Sequence, residues 1–148
     1  MKQLVFTIEI AAPKQTVWNI LWDDATYRKW TAAFGEGSHA VTPNWNEGTR
    51  VHFLGGDGKG GMYSDILKSQ APNVITFRHL GVISNGKEEP FTDESQEWNG
   101  AHEEYYLSES NGKTTLDVKL QSIDSFADYF QEAFPKALGI VKELAEAN

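Results

Sequence analysis

The chain predicts an α+β fold in which a curved, seven-stranded antiparallel sheet wraps around a long C-terminal helix, with two short helices after the first strand. Three observations predict it. Leu4, Phe6, Ile8 and Ile10 recur at every second position, the mark of a strand with one buried face. A period of two returns near residue 38 and runs for about eighty residues, interrupted only by turn chemistry. The chain then reverts to a 3.6-residue period, which puts Phe126, Phe130, Phe134, Ala137, Leu138, Val141, Leu144 and Ala145 on one stripe.

Each element follows from local chemistry. Pro13 stops the first strand and suits the first turn of a helix, along which Val17, Ile20 and Leu21 fall at helical spacing with Trp18 and Trp22 beside them. Asp23 and Asp24 can cap a second short helix that carries Tyr27 and Trp30 and ends at Gly35. Turn residues at Pro43, Gly55 to Gly61, Pro72-Asn73 and Asn111-Gly112 then divide strands near 38–42, 48–55, 62–69, 74–80, 101–109 and 113–121. Residues 81–100 read as a long, acidic connection, and loops of that length in compact domains are usually functional or mobile. Asp124 or Ser125 can cap the last helix, and Pro135 inside its stripe predicts a kink or a break.

At 148 residues the expectation is one domain spanning 1–148. A formal charge of −8, from 13 Lys and Arg against 21 Asp and Glu, disfavours nucleic acid and anionic membranes as partners. No apolar run approaches a membrane span, and the start alternates polar and apolar residues where a signal peptide needs an apolar core, so the expected location is the cytoplasm. The absence of Cys excludes disulfides, thiol catalysis and thiolate metal sites. Five Trp, five Tyr and eight Phe supply large rigid rings for a core or for a pocket wall.

One helix cannot cover a sheet of this width, so a lateral space between sheet, helix and loops is expected, mostly apolar with a few orienting polar groups. The residues here resemble the START-like superfamily, also called SRPBCC or the helix-grip fold, in the branch of the activators of a heat-shock-protein ATPase. The resemblance rests on Ile8-Glu9-Ile10-Ala11-Ala12-Pro13 followed by Val17-Trp18, on Tyr27 to Trp30, Gly48-Thr49-Arg50 and Phe77-Arg78-His79-Leu80-Gly81. Trp98-Asn99-Gly100-Ala101 followed by Glu103 and Tyr105, and the helix from Phe134 to Leu144, complete it. It covers essentially the whole chain and implies a container for an apolar or aromatic small molecule of lipid, sterol or polyketide class. It also implies, in one branch, contact with a chaperone, the eukaryotic activators being similar only in their C-terminal domain.

Candidate site residues follow from strand faces. Ile75, Phe77 and His79 share one face of their strand, and Arg78 on the other prefers water. Tyr105 and Leu107 mark the more apolar register of theirs and carry Glu103 inward. If these strands are neighbours, His79 approaches Glu103, as an acid–base pair or as a structural hydrogen bond. Phe53, Phe77, Tyr105, Phe126, Phe130 and Phe134 complete the expected lining, each equally able to be plain core. A metal would need a third ligand such as His52, and His39, His52 and His102 lack ligand spacing, so neither metal nor cofactor is expected. Gly56-Asp57-Gly58-Lys59-Gly60-Gly61 fits G-x-G-x-x-G, but a strand follows where a dinucleotide site needs a helix, which leaves a hairpin turn. Glu88, Glu89, Asp93, Glu94 and Glu97 lack the spacing of a calcium loop and read as an acidic lid, with Phe91 and Trp98 packed over the mouth or pinning the loop. The expected function is ligand binding. The alternatives are a small acid–base enzyme of cyclase, dehydratase or hydrolase type using His79 and Glu103 with Tyr105 as donor, and a chaperone-interacting stress-response module.

Overall fold

A computed structural model describes residues 1–92 and 95–147. The element order is β1 (Lys2–Ile10), α1 (Lys14–Trp22), α2 (Asp24–Thr31), β2 (His39–Val41), β3 (Arg50–Gly55), β4 (Gly60–Gln70), β5 (Val74–Ser84), β6 (Lys87–Pro90), β7 (His102–Ser110), β8 (Lys113–Ser122) and α3 (Asp124–Glu146). All pairings are antiparallel, in the order β1-β8-β7-β5-β4-β3-β2, with β6 added to the far end of β5. The fold is the expected α+β class, a curved sheet closed over by a long C-terminal helix.

The sheet has eight strands where the sequence predicts seven. The difference lies at residues 81–100, which are not one long loop. Asn85 and Gly86 both take positive φ, 52° and 78°, the conformation of a two-residue hairpin turn. That turn prolongs β5 to Ser84 and folds Lys87–Pro90 back against it. The acidic residues expected on a lid are divided accordingly. Glu88 sits in β6, where its carboxylate takes contacts from Arg50 Nη1 and His52 Nε2, each at 2.8 Å. These partners, His52 first and then Arg50, hold the Glu88 carboxyl below the ordinary carboxylate range. Glu97 lies on a short 3-10 turn, Gln96–Trp98, and Asp93 and Glu94 fall outside the described residues. Gly56 to Gly61 do form the turn and start of the β3–β4 hairpin.

Pro135 neither breaks nor divides α3, which runs unbroken from Asp124 to Glu146. Pro135 is exposed while its neighbours Ala133, Phe134, Ala137 and Leu138 are buried, so the backbone carbonyl it leaves unpaired four residues earlier is on the wet side. Apolar burial on the other side holds the helix together. Phe134 stacks on Phe6 of β1, ring centroids 4.9 Å apart, and meets Phe34 edge-on at 4.8 Å. No side chain caps α3; Ile123 occupies the cap position. Among the described residues no helix is long and apolar enough to cross a membrane.

Gly81 marks a close backbone approach in the sheet. A Cβ there would lie 2.3 Å from the Glu89 carbonyl oxygen and 2.5 Å from the Tyr63 hydroxyl, so only hydrogen fits between β6 and the Tyr63 ring. Gly81→Ala is expected to destabilise the protein by about 1–3 kcal/mol through overpacking, read as an earlier urea midpoint. An unchanged midpoint would show that β6 is not held against β5 as described.

Candidate functional site

The site begins with an irregularity in the sheet. Tyr63 pairs with Gly81, but the next residue, Ser64, pairs with His79, so Leu80 is an extra residue on β5. Such a bulge re-aims the side chains on either side of it. Here it sets Ser64 Oγ 2.6 Å from His79 Nδ1, both side chains buried. The His79 backbone is tied as well: its N–H donates to Ala101 O at 2.9 Å, and its carbonyl accepts from Gly100 N at 2.8 Å. The 3-10 turn carrying Trp98 is therefore anchored beside the imidazole.

Glu103 comes from β7, paired with Phe77 on one side and Leu120 on the other. His79 is the diagonal neighbour on the same face, within side-chain reach. Its Nε2 lies 3.3 Å from Glu103 Oε1. Tyr105, two residues along β7 on the same face, donates its hydroxyl to Glu103 Oε2 at 2.5 Å. A neutral imidazole that carries its proton on Nε2 accepts from Ser64 at Nδ1 and turns an N–H toward Glu103. The four side chains form one continuous polar chain.

This chain ends a cavity of about 260 Å³ between the sheet and α3, at the lower edge of the roughly 300–1,000 Å³ usual for small-molecule pockets. It is open to solvent and mostly aromatic. Trp22, Tyr27, Trp30 and Phe34 line it from the helical side, Phe53 and Met62 from β3 and β4, and Tyr129, Phe130 and Phe134 from α3. Trp98 reaches the mouth, packed edge-on against Phe126 and Phe130. Tyr129 donates its hydroxyl to the Phe34 carbonyl, joining α3 to the loop after α2 across that mouth. Trp30 is fixed by donation from Nε1 to Leu21 O at 3.1 Å. Trp22 differs: its Nε1 is buried with no hydrogen-bond partner among the described residues, a loss of about 1–3 kcal/mol for such a donor.

Of the expected site residues, Phe53, His79, Glu103, Tyr105, Phe130 and Phe134 lie on the cavity lining. Phe77 shares the face of His79 but is fully buried beneath Phe53, Trp22 and Trp45, with centroid separations of 5.3, 5.6 and 6.2 Å. Phe126 stands 47% exposed in the first turn of α3. Phe91 is buried and is not part of the lining. Ser64 and the aromatic residues of α1 and α2 were not singled out by sequence reasoning. Ser64 had a signal, since it interrupts the apolar register of Met62 and Ile66. Among the described residues no third His, Asp or Glu joins His79 and Glu103 in a metal-binding group.

Burial first, and then the negative charge of Glu103, push the Tyr105 hydroxyl well above the ordinary tyrosine range; the same two causes act on Tyr27. Both stay protonated at neutral pH, so Tyr105 is a hydrogen-bond donor and not a base. A group whose folded pKa is raised contributes stability that is complete below its unfolded pKa and lost as pH rises above it. Stability should therefore fall once pH passes the ordinary tyrosine value of 10.0. The slope of that fall should be shallower in Tyr105→Phe. Denaturation midpoints measured from pH 8 to 11 check this, and identical slopes in the two proteins would contradict it.

By sequence, the chain matches no family model and no curated protein. Its structure is similar to that of protein MLL2253 from Mesorhizobium loti, with a TM-score of 0.75, 10% identity, and 99% of this chain and 98% of that one covered. It is similar to Aha1 from Colwellia psychrerythraea, solved as a dimer, with a TM-score of 0.70, 16% identity, and coverage of 99% and 97%. It is also similar to the di-domain ARO/CYC StfQ of the steffimycin biosynthetic pathway, with a TM-score of 0.62 and 15% identity, over 97% of this chain and 44% of that one. At these identities the likeness establishes architecture, and the chain has the α+β helix-grip fold.

Proposed function

We propose that this protein binds a small apolar or aromatic molecule in the cavity between the sheet and α3, without transforming it. The observation that carries the reading is the cavity itself: an open, mostly aromatic space with one polar end at His79, Glu103 and Tyr105. A well-formed apolar pocket with few convergent polar groups is the usual form of a ligand site. The volume of about 260 Å³ suits a body of one or two fused rings better than a sterol. The structural likeness to StfQ, a protein of a biosynthetic pathway, supports a small-molecule partner.

A second reading is favoured by one contact. His79 Nε2 and Glu103 Oε1 are 3.3 Å apart at the cavity wall, close enough for acid–base work on a bound substrate. The two readings separate on the fate of the ligand. Binding alone returns it unchanged, whereas catalysis gives a product whose formation stops in His79→Gln and Glu103→Gln.

The binding reading is tested by NMR titration with 2-naphthaleneethanol, a neutral two-ring probe. Saturable shifts are expected for the amides around Phe53, His79, Glu103 and Phe134. Glu103→Leu should weaken the probe about tenfold by removing its hydrogen-bond partner. Shifts that are absent, or that fall outside the cavity, would sink the reading.

A further inference from the structure

The cavity wall is electrically one-sided. Glu103 is the one acidic residue on the described lining, and no Lys or Arg lies there. Arg78, the nearest cationic residue along β5, is on the opposite, exposed face and packs toward Gly100. His79 carries no positive charge in the tautomer whose Nδ1 accepts from Ser64. Glu103 is 24% exposed and receives a contact from Tyr105 on one oxygen and His79 on the other. Each oxygen keeps a lone pair, and among the described residues no Lys or Arg pairs with this carboxylate. A partly buried carboxylate in this state is costly until a cation reaches it.

The rest of the wall favours the same charge. Trp30, Phe34, Phe53, Phe130 and Phe134 surround the space beside Glu103, and aromatic faces attract cations through their quadrupole. The formal charge of −8 raises the local concentration of cations at the open mouth. A ligand carboxylate meets none of these attractions and is repelled by Glu103.

We propose that the cavity selects a small aromatic amine in its protonated form, with the ammonium group against Glu103 and the ring system in the aromatic lining. The proposal rests on the cavity-binding reading and adds the sign of the ligand's charge and the residue that reads it. Glu103 accepts an N–H from the ammonium while Tyr105 and His79 hold the carboxylate in place. The limited volume places the charged group within one or two bonds of the rings.

Three probes of matched shape test it: 2-(2-naphthyl)ethylamine, 2-naphthaleneethanol and 2-naphthaleneacetate. Affinities are measured calorimetrically at pH 8, where the amine is charged and a free imidazole is not. The amine should bind about tenfold more tightly than the alcohol, and the acid at least about tenfold more weakly. In Glu103→Gln the amine should lose most of its advantage while the alcohol still binds, which shows that the variant is folded and its cavity intact. An acid that binds as well as the amine, or a Glu103→Gln protein that keeps the full preference, overturns the proposal. Should the alcohol bind with no gain from the amine, charge selection falls and the cavity reading stands. If none of the three binds, both fall.

Discussion

The structure depends on a mismatch of width. The seven strands from β1 to β2, with β6 off that path, spaced about 4.8 Å apart, give a sheet roughly 30 Å across, while one helix with its side chains is about 10 Å thick. α3, with 23 residues, packs on β1 at one edge of this sheet and covers only part of it. Curvature brings the sheet edges toward the helix, and α1 and α2 fill part of the remainder with Trp22, Tyr27 and Trp30. What is left is the cavity. Phe134 sits at the seam, stacked on Phe6 and set edge-on to Phe34, so the contact that attaches the helix to β1 also forms a wall of the space it fails to fill.

The polar end of that space is held by the sheet. Because Glu103, Tyr105 and His79 project from paired strands, their separations follow from register and not from loop conformation. The bulge at Leu80 turns His79 so that Ser64 meets Nδ1 from behind while Nε2 faces Glu103. A polar cluster built this way is expensive to leave incomplete, and nearly every atom in it has a partner. The remaining valence is on Glu103, at the cavity.

The sequence made much of this legible. Alternation in β1 and the apolar stripe of α3 were strong because each is long and has one wet face. The approach of His79 to Glu103 followed from two strand faces and an assumed neighbourhood that the β5–β7 pairing provides. Other features were hidden for physical reasons. The β5–β6 hairpin has a strong Asn85-Gly86 turn, but Lys87-Glu88-Glu89-Pro90 has no buried residue and shows no apolar alternation. Pro135 reads as a helix breaker until the burial of its neighbours is known. Phe126 lies on the same stripe as Phe134, yet it falls in the first turn of α3, where it stays exposed. The contributions of Trp22, Tyr27 and Trp30 could not be read from periodicity, because a core ring and a cavity ring occupy the same helical positions.

The central claim is that an aromatic space stays open beside Glu103 and is where a ligand rests. A crystal structure of the protein grown with a two-ring amine or alcohol tests this most directly. Ring density is expected between Phe53 and Phe134, with the polar group within hydrogen-bond distance of Glu103. Rings of the protein collapsed into that space, or ligand density only on the outer surface, would contradict it.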